Sequence, residues 1–158
     1  MAMQAGTEAH QRMLDVVEAM KHQDGALLPI LHGIQDEFGY VPAESVPVIA
    51  DALNLSRADV HGVITFYHDY RSAPAGRHVL KICRAEACQA MGGEAMAERA
   101  EDLLGIKFHQ TAADNSVTLE PTYCLGLCAC APAAQLDGQL IGRLDEERLR
   151  EIVSEVRL

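Results

Sequence analysis

Apolar residues recur every three to four positions through the first part of the chain, the spacing of helices with one buried face. Ala9, Met13, Val16 and Met20 predict one helix, and Gly25 follows as a stop. Leu27, Leu31, Ile34 and Phe38 repeat the period in a second, with Pro29 tolerable in the first turn and Gly39 suited to a left-handed cap. Val46, Ile49 and Leu53 predict a short third helix entered at Pro47. A fourth runs through Val60 and Ile64, opened by Ser56 and Asp59 at the spacing of a capping box. The stretch RSAPAG, 71–76, is small, Pro-bearing and turn-like, which puts a boundary there. Residues 1–72 are expected to form a helical part, for which the resemblance named below implies a docking role, and 77–158 a second domain.

Beyond the boundary the pattern changes. HVLKI, 78–82, is a short β-branched-rich run ending directly at Cys83, as a strand delivering a side chain into a loop would. Gly92 and Gly93 precede a helix through Met96, Ala100, Leu103 and Leu104, closed by Gly105; the paired glycines permit a tight turn after Cys88. IKFH and SVTLE are predicted strands. AAQL and QLIG flank Asp137-Gly138, a two-residue hairpin signal. Leu149, Ile152, Val153 and Val156 form the apolar face of a last helix, capped by Asp145 and stapled through Leu144 and Leu149. Strand, helix, strands, hairpin and helix imply an α+β chain: an N-terminal helical bundle followed by a thioredoxin-like α/β domain, a small sheet with helices packed on it.

Charge and composition narrow the function. The formal net charge is -10, with 23 acidic against 13 basic residues and no Lys/Arg cluster, so a phosphate-tracking nucleic-acid binder is excluded. No apolar run approaches the roughly 20 residues of a membrane span. The first residues, MAMQAGTEAHQRM, lack the features of a secretory signal, which points to the cytoplasm. In a reducing compartment, clustered cysteines suggest metal or redox chemistry before structural disulfides.

All five cysteines lie in the second domain: Cys83 and Cys88 as C-x4-C, Cys124 and Cys128 as C-x3-C, and Cys130. Two close pairs on two loops of one sheet can meet, because neighbouring strand ends lie only about 5 Å apart. Four thiolates suit an iron-sulfur cluster, or zinc, in which case the chain is a zinc-stabilised interaction module with no redox role. Zinc favours tight two-residue knuckles, and the wider gaps here fit a 2Fe-2S rhomb, in which each iron takes two thiolates. Neither pair is C-x2-C, so a disulfide-exchange enzyme is disfavoured. Among seven histidines none is spaced to complete a mixed His/Cys site. There is no G-x-G-x-x-G or P-loop, and hence no nucleotide-site motif. Arg84 beside Cys83 either raises a cluster's potential, with Glu86 opposing it, or forms with Glu86 a solvent-facing pair. Phe66 and Tyr67 in TFYHDY are expected as core or packing contacts rather than a stacking platform.

The segments ICRAEACQAMGG and EPTYCLGLCACAP, preceded by LLPILHGIQDEFGYVPAESVPVIADALNLSRADVHGVITFYHDY, resemble the thioredoxin-like 2Fe-2S ferredoxins found as small subunits of NADH-linked flavin complexes, from about Leu27 onward. The loop CRAEACQ is more similar to the gamma subunit of bacterial NAD-dependent, molybdenum-containing formate dehydrogenase than to the small subunit of NADH:quinone oxidoreductase, whose loop more often reads C-x-G-T-x-C. The resemblance implies one 2Fe-2S cluster held by Cys83, Cys88, Cys124 and Cys128. It further implies a non-catalytic electron-transfer subunit that exchanges single electrons with the FMN of a flavoprotein subunit. FMN, NAD and the molybdenum cofactor are then expected on partner subunits only, the molybdenum on a large subunit that oxidises formate. Cys130 departs from the family, which commonly has a small or polar residue there; in an extended segment it points away from Cys128 and is the spare.

Overall fold

The computed structural model describes residues 2–157. The chain divides into two compact units, 1–74 and 75–158, each with its own core.

The first unit carries α1 (Ala2–Met20), α2 (Leu27–Phe38), α3 (Ser45–Leu53) and α4 (Arg57–Phe66). The apolar stripes converge: Met13 and Val17 of α1 meet Ile30 and Ile34 of α2, Ile49 of α3 and Val60 of α4. Fully burying each such side chain stabilises the unit by about 1.5–3 kcal/mol. Gly39 ends α2 at φ 79, where its amide donates to the Gln35 carbonyl. At the start of α4, the Asp59 amide donates to Ser56 Oγ at 3.1 Å and the Ser56 amide donates to the Asp59 carboxylate at 3.2 Å. Replacing Ser56 by Ala removes half of this box. Ser56→Ala should lower the unfolding free energy by about 1 kcal/mol, visible as an earlier urea midpoint at unchanged slope; an unmoved midpoint would mean the box contributes nothing.

The aromatic expectation at the end of α4 holds for packing and fails for burial: Phe66 and Tyr67 pack edge-on at 5.0 Å and Tyr67 meets Tyr70 at 6.2 Å, but at the surface. Phe66 is 74% exposed and Tyr67 44% exposed, and it is Tyr70 that enters the core. The helix stops at Phe66 and Tyr67 turns to extended backbone (φ -92, ψ 106), so neither ring continues the buried face begun by Val60.

The second unit is built on β1 (His78–Cys83), α5 (Glu86–Ala90), α6 (Gly93–Leu104), β2 (Gln110–Thr111), β3 (Val117–Thr122), a 3-10 turn (Cys128–Cys130), β4 (Ala133–Leu136), β5 (Gln139–Gly142) and α7 (Glu146–Val156). The five strands form one mixed sheet in the order β2-β3-β1-β4-β5. Only β1 and β3 are parallel; the other neighbours run antiparallel. A parallel neighbour demands a crossover, and α5 and α6 supply it. Alternate strand residues Leu80, Ile82, Val117 and Leu119 share a core with Ala100 of α6 and Ile152 of α7.

The hairpin forms at Asp137-Gly138, both left-handed (φ 48 and 88), as a two-residue primed turn requires. Asp137 also accepts from the Val79 amide at 2.7 Å and pairs with His78 at 2.7 Å, tying the turn to β1. Asp145 caps α7 by accepting from the Arg148 amide at 2.8 Å, and Leu144 and Leu149 are both buried. IKFH is not a strand. Ile106 and Phe108 are partly buried against the core from a turn, and His109 adopts φ 65, which breaks an extended run; the ladder begins only at Gln110.

Candidate functional site

Register decides where the cysteines go. Cys83 is the last residue of β1 and pairs with Thr122, the last of β3. The Arg84 amide adds one more rung, donating to the Thr122 carbonyl at 2.8 Å before the chains part. Because the two strands are parallel, both following loops leave the same edge of the sheet. One carries Cys88 on α5; the other carries Cys124 and then Cys128 at the start of the 3-10 turn.

The loops meet around Cys83. Burial pushes its thiol up, but the amide of Ala85, the thiol of Cys88 and the amides of Leu125 and Cys124 all donate to its sulfur, and together they hold it below its ordinary value. Cys88, also buried, is pushed up by burial and by its hydrogen bond to Cys83, against a contribution from the Ala133 amide. Leu125, Leu127 and Ala131 pack over this buried pair. The second pair is different. Cys124 and Cys128 are exposed, their sulfurs 3.8 Å apart, and the hydrogen bond to Cys124 raises the Cys128 thiol. None of the five thiols forms a disulfide.

A tetrahedral metal holding thiolates at about 2.3 Å sets their sulfurs about 3.8 Å apart. The Cys124–Cys128 separation matches that edge. A single zinc ion would need all of its ligands in one such tetrahedron, whereas here the thiols come as two pairs, Cys83 with Cys88 and Cys124 with Cys128. Two facing pairs fit instead a group with two metal atoms, each taking two thiolates, as in a 2Fe-2S rhomb. Such a group is anionic and needs N–H donors toward sulfur. The amides of Ala85, Cys124 and Leu125 at Cys83, and the Gly126 amide 3.4 Å from Cys124 Sγ, provide them.

Gly126 holds φ +77, which a side chain resists. Gly126→Ala is expected to lower stability by about 1–2 kcal/mol although nothing lies within 4 Å of the added methyl group; a thermal unfolding curve identical to wild type would show that the loop takes another path.

Cys130 does not lie in an extended segment. The 3-10 turn draws its amide onto the Leu127 carbonyl at 2.8 Å, its carbonyl accepts from the Arg143 amide, and a Cβ placed on Gly142 would fall 2.8 Å from Cys130 Cβ. Its side chain therefore packs against β5. Arg84 pairs with Glu94 and lies over the Phe108 ring at 5.3 Å, so its charge is already matched. The tight turn expected at the paired glycines forms: a Cβ on Gly93 would stand 2.6 Å from the Cys88 carbonyl oxygen. One contact escapes a reading of the sequence, since Gly142 gives Cys130 its place and no local pattern in the chain signals it.

Comparison with known proteins bears on the same residues. The family model of the thioredoxin-like [2Fe-2S] ferredoxins matches residues 13–157. A subunit of the NADH-quinone oxidoreductase of Escherichia coli K12 is 33% identical over 95% of this chain and 95% of its own length. Its counterpart from Mycobacterium tuberculosis H37Rv is 32% identical over 90% of this chain, which spans only 57% of that relative. A subunit of the NADP-reducing hydrogenase of Solidesulfovibrio fructosivorans is 25% identical over 92% of this chain and 85% of its own. Among solved structures, the NAD+-reducing [NiFe]-hydrogenase in its H2-reduced state superposes with a TM-score of 0.69 at 24% identity, over 83% of this chain and 22% of that one, a likeness of fold.

Proposed function

Since the chain belongs to the thioredoxin-like [2Fe-2S] ferredoxin family, we propose that it is an electron-transfer subunit of an NAD-linked oxidoreductase complex, holding one 2Fe-2S cluster on Cys83, Cys88, Cys124 and Cys128. The observation that carries this is the meeting of two thiol pairs, one buried and one exposed, at the shared end of a parallel strand pair. A cluster bound there supplies one-electron transfer and no bond chemistry. The chain's own residues do the rest: Cys83 and Cys88 anchor the group in an apolar wall, Leu125 and Leu127 exclude water, and the backbone amides stabilise charge on sulfur. No helix among the described residues is long and apolar enough to cross a membrane.

The finer reading is the gamma subunit of an NAD-dependent formate dehydrogenase, supported by the loop CRAEACQ. The flavoprotein subunit then carries FMN and binds NAD, and the large subunit carries molybdenum. A second reading keeps the chemistry and changes the complex to NADH:quinone oxidoreductase or an NAD-linked hydrogenase, supported by the names of the relatives. Purification of the full chain from its native host with subunit identification tests both. A co-purifying flavoprotein with a molybdenum subunit is expected; quinone-reductase or nickel-iron subunits would transfer the assignment to the second reading, and recovery of the chain alone would contradict both.

A further inference from the structure

Arg84 touches both cysteine-bearing loops. Its amide donates to the Thr122 carbonyl at 2.8 Å, just before Cys124, and its carbonyl accepts from Gln89 Nε2 at 2.9 Å, just after Cys88. Its guanidinium pairs with Glu94 in the first turn of α6 and lies 5.3 Å from the centre of the Phe108 ring. That ring is itself held: it packs partly buried against the core, and the Phe108 amide donates to the Glu101 carboxylate of α6 at 3.1 Å. Between Arg84 and Glu94 lies α5 with its flanking turns. A helix of five residues is not held by its own hydrogen bonds, so the place of α5, and of the Cys88 it carries, depends on what fastens its ends.

Resting on the electron-transfer reading, we propose that Arg84 is a positioning residue: its side chain, tied to Glu94 and laid on Phe108, clamps α5 against α6 and holds the Cys88 thiol beside Cys83. The clamp is mechanical rather than electrostatic, since Glu94 already matches the charge. An exposed ion pair by itself shifts an equilibrium little. Here the Arg84 side chain is only 30% exposed and rests on an aromatic face. The two contacts together should disfavour opening of the 84–94 segment by about fivefold. A buried ligand kept in place in the metal-free chain is ready when the group arrives, and it stays in place when the group changes charge.

The test alkylates the full-length, metal-free, reduced chain with iodoacetamide and follows each cysteine by mass spectrometry. Arg84→Ala should speed alkylation of Cys88 about fivefold and leave Cys124 and Cys130 within about twofold of wild type. Charge alone predicts the opposite sign, because taking a cation away from a thiol lowers its thiolate fraction and slows the reaction. Arg84→Lys, which keeps a donor for Glu94, should recover most of the wild-type rate. Glu94→Ala should act in the same direction as Arg84→Ala, and the double variant should be no faster than Arg84→Ala, as for two ends of one tie. With iron and sulfide supplied, the visible absorption of Arg84→Ala should bleach about fivefold faster than wild type under a chelator. An unchanged or slower Cys88 rate, an equal rise at Cys130, multiplied effects in the double variant or bleaching at the wild-type rate would overturn the clamp and leave the electron-transfer reading standing. A wild-type chain that forms no colour with iron and sulfide overturns that reading, whatever the alkylation rates.

Discussion

Serine at Cys83, Cys88, Cys124 or Cys128 should each cut the iron retained by the chain to below about a tenth of wild type, since even the loss of an outer hydrogen-bonding partner commonly costs a metal site 10–100-fold. Serine at Cys130 should leave it unchanged, because that side chain packs against β5 and belongs to neither pair. The four losses are not equivalent in stability. Cys88 is 2% exposed among apolar neighbours, so Cys88→Ser buries a hydroxyl with the Ala133 amide close by and should cost the metal-free chain about 1–3 kcal/mol. Cys124 and Cys128 are exposed, and serine there should change the metal-free stability by less than about 0.5 kcal/mol. Iron analysis and chemical unfolding on the same five variants read both patterns. A variant among the four that keeps its iron removes that residue from the ligand set; loss of iron in Cys130→Ser would add one.

Gly93→Ala carries the second large effect, and it acts through backbone alone. The added Cβ would stand 2.6 Å from the Cys88 carbonyl oxygen and 2.8 Å from its carbonyl carbon, atoms that no rotamer change can move aside. Either α6 shifts or the turn after α5 does, and in both cases Cys88 is displaced. The expected cost is about 1–3 kcal/mol, with a matching fall in iron content. Gly92→Ala is the informative contrast: its Cβ meets nothing within 4 Å, but its φ of +86 is strained for a side chain. That variant should lose about 1–2 kcal/mol and retain its iron. If Gly93→Ala unfolds and binds iron as wild type does, the close approach to Cys88 is not a constraint.

Much of this was legible in the chain because the signals are local. Gly39, the Ser56–Asp59 box, Asp137-Gly138 and the Asp145 cap with its Leu144–Leu149 staple each satisfy backbone or packing demands within a few residues, and each forms as expected. The strand HVLKI was plain from its β-branched run into Cys83. Less legible was whatever depended on partners distant in sequence. IKFH has strand-like composition, yet Ile106 and Phe108 are claimed by the helix-sheet core from a turn, leaving β2 only Gln110 and Thr111. Tyr67 sits at a helical interval from Val60 and Val63, and only the end of α4 at Phe66 takes it off that face. Around the site, spacing suggested two pairs of cysteines, and the thiols of each do lie together, but it could not tell that one pair would be buried and the other exposed. That difference arises from α5, a five-residue helix too short to carry a periodic signal, which turns Cys88 inward, and from the 3-10 turn that leaves Cys128 at the surface.

The central claim is that the two thiol pairs hold a pair of irons. The direct measurement is iron and acid-labile sulfide content of the full-length chain, prepared anaerobically with both in excess, followed by electron paramagnetic resonance after dithionite reduction. About two irons and two sulfides per chain, visible absorption when oxidised and a paramagnetic signal when reduced are the predicted result. A colourless chain that binds one zinc ion and gives no signal after reduction would contradict it.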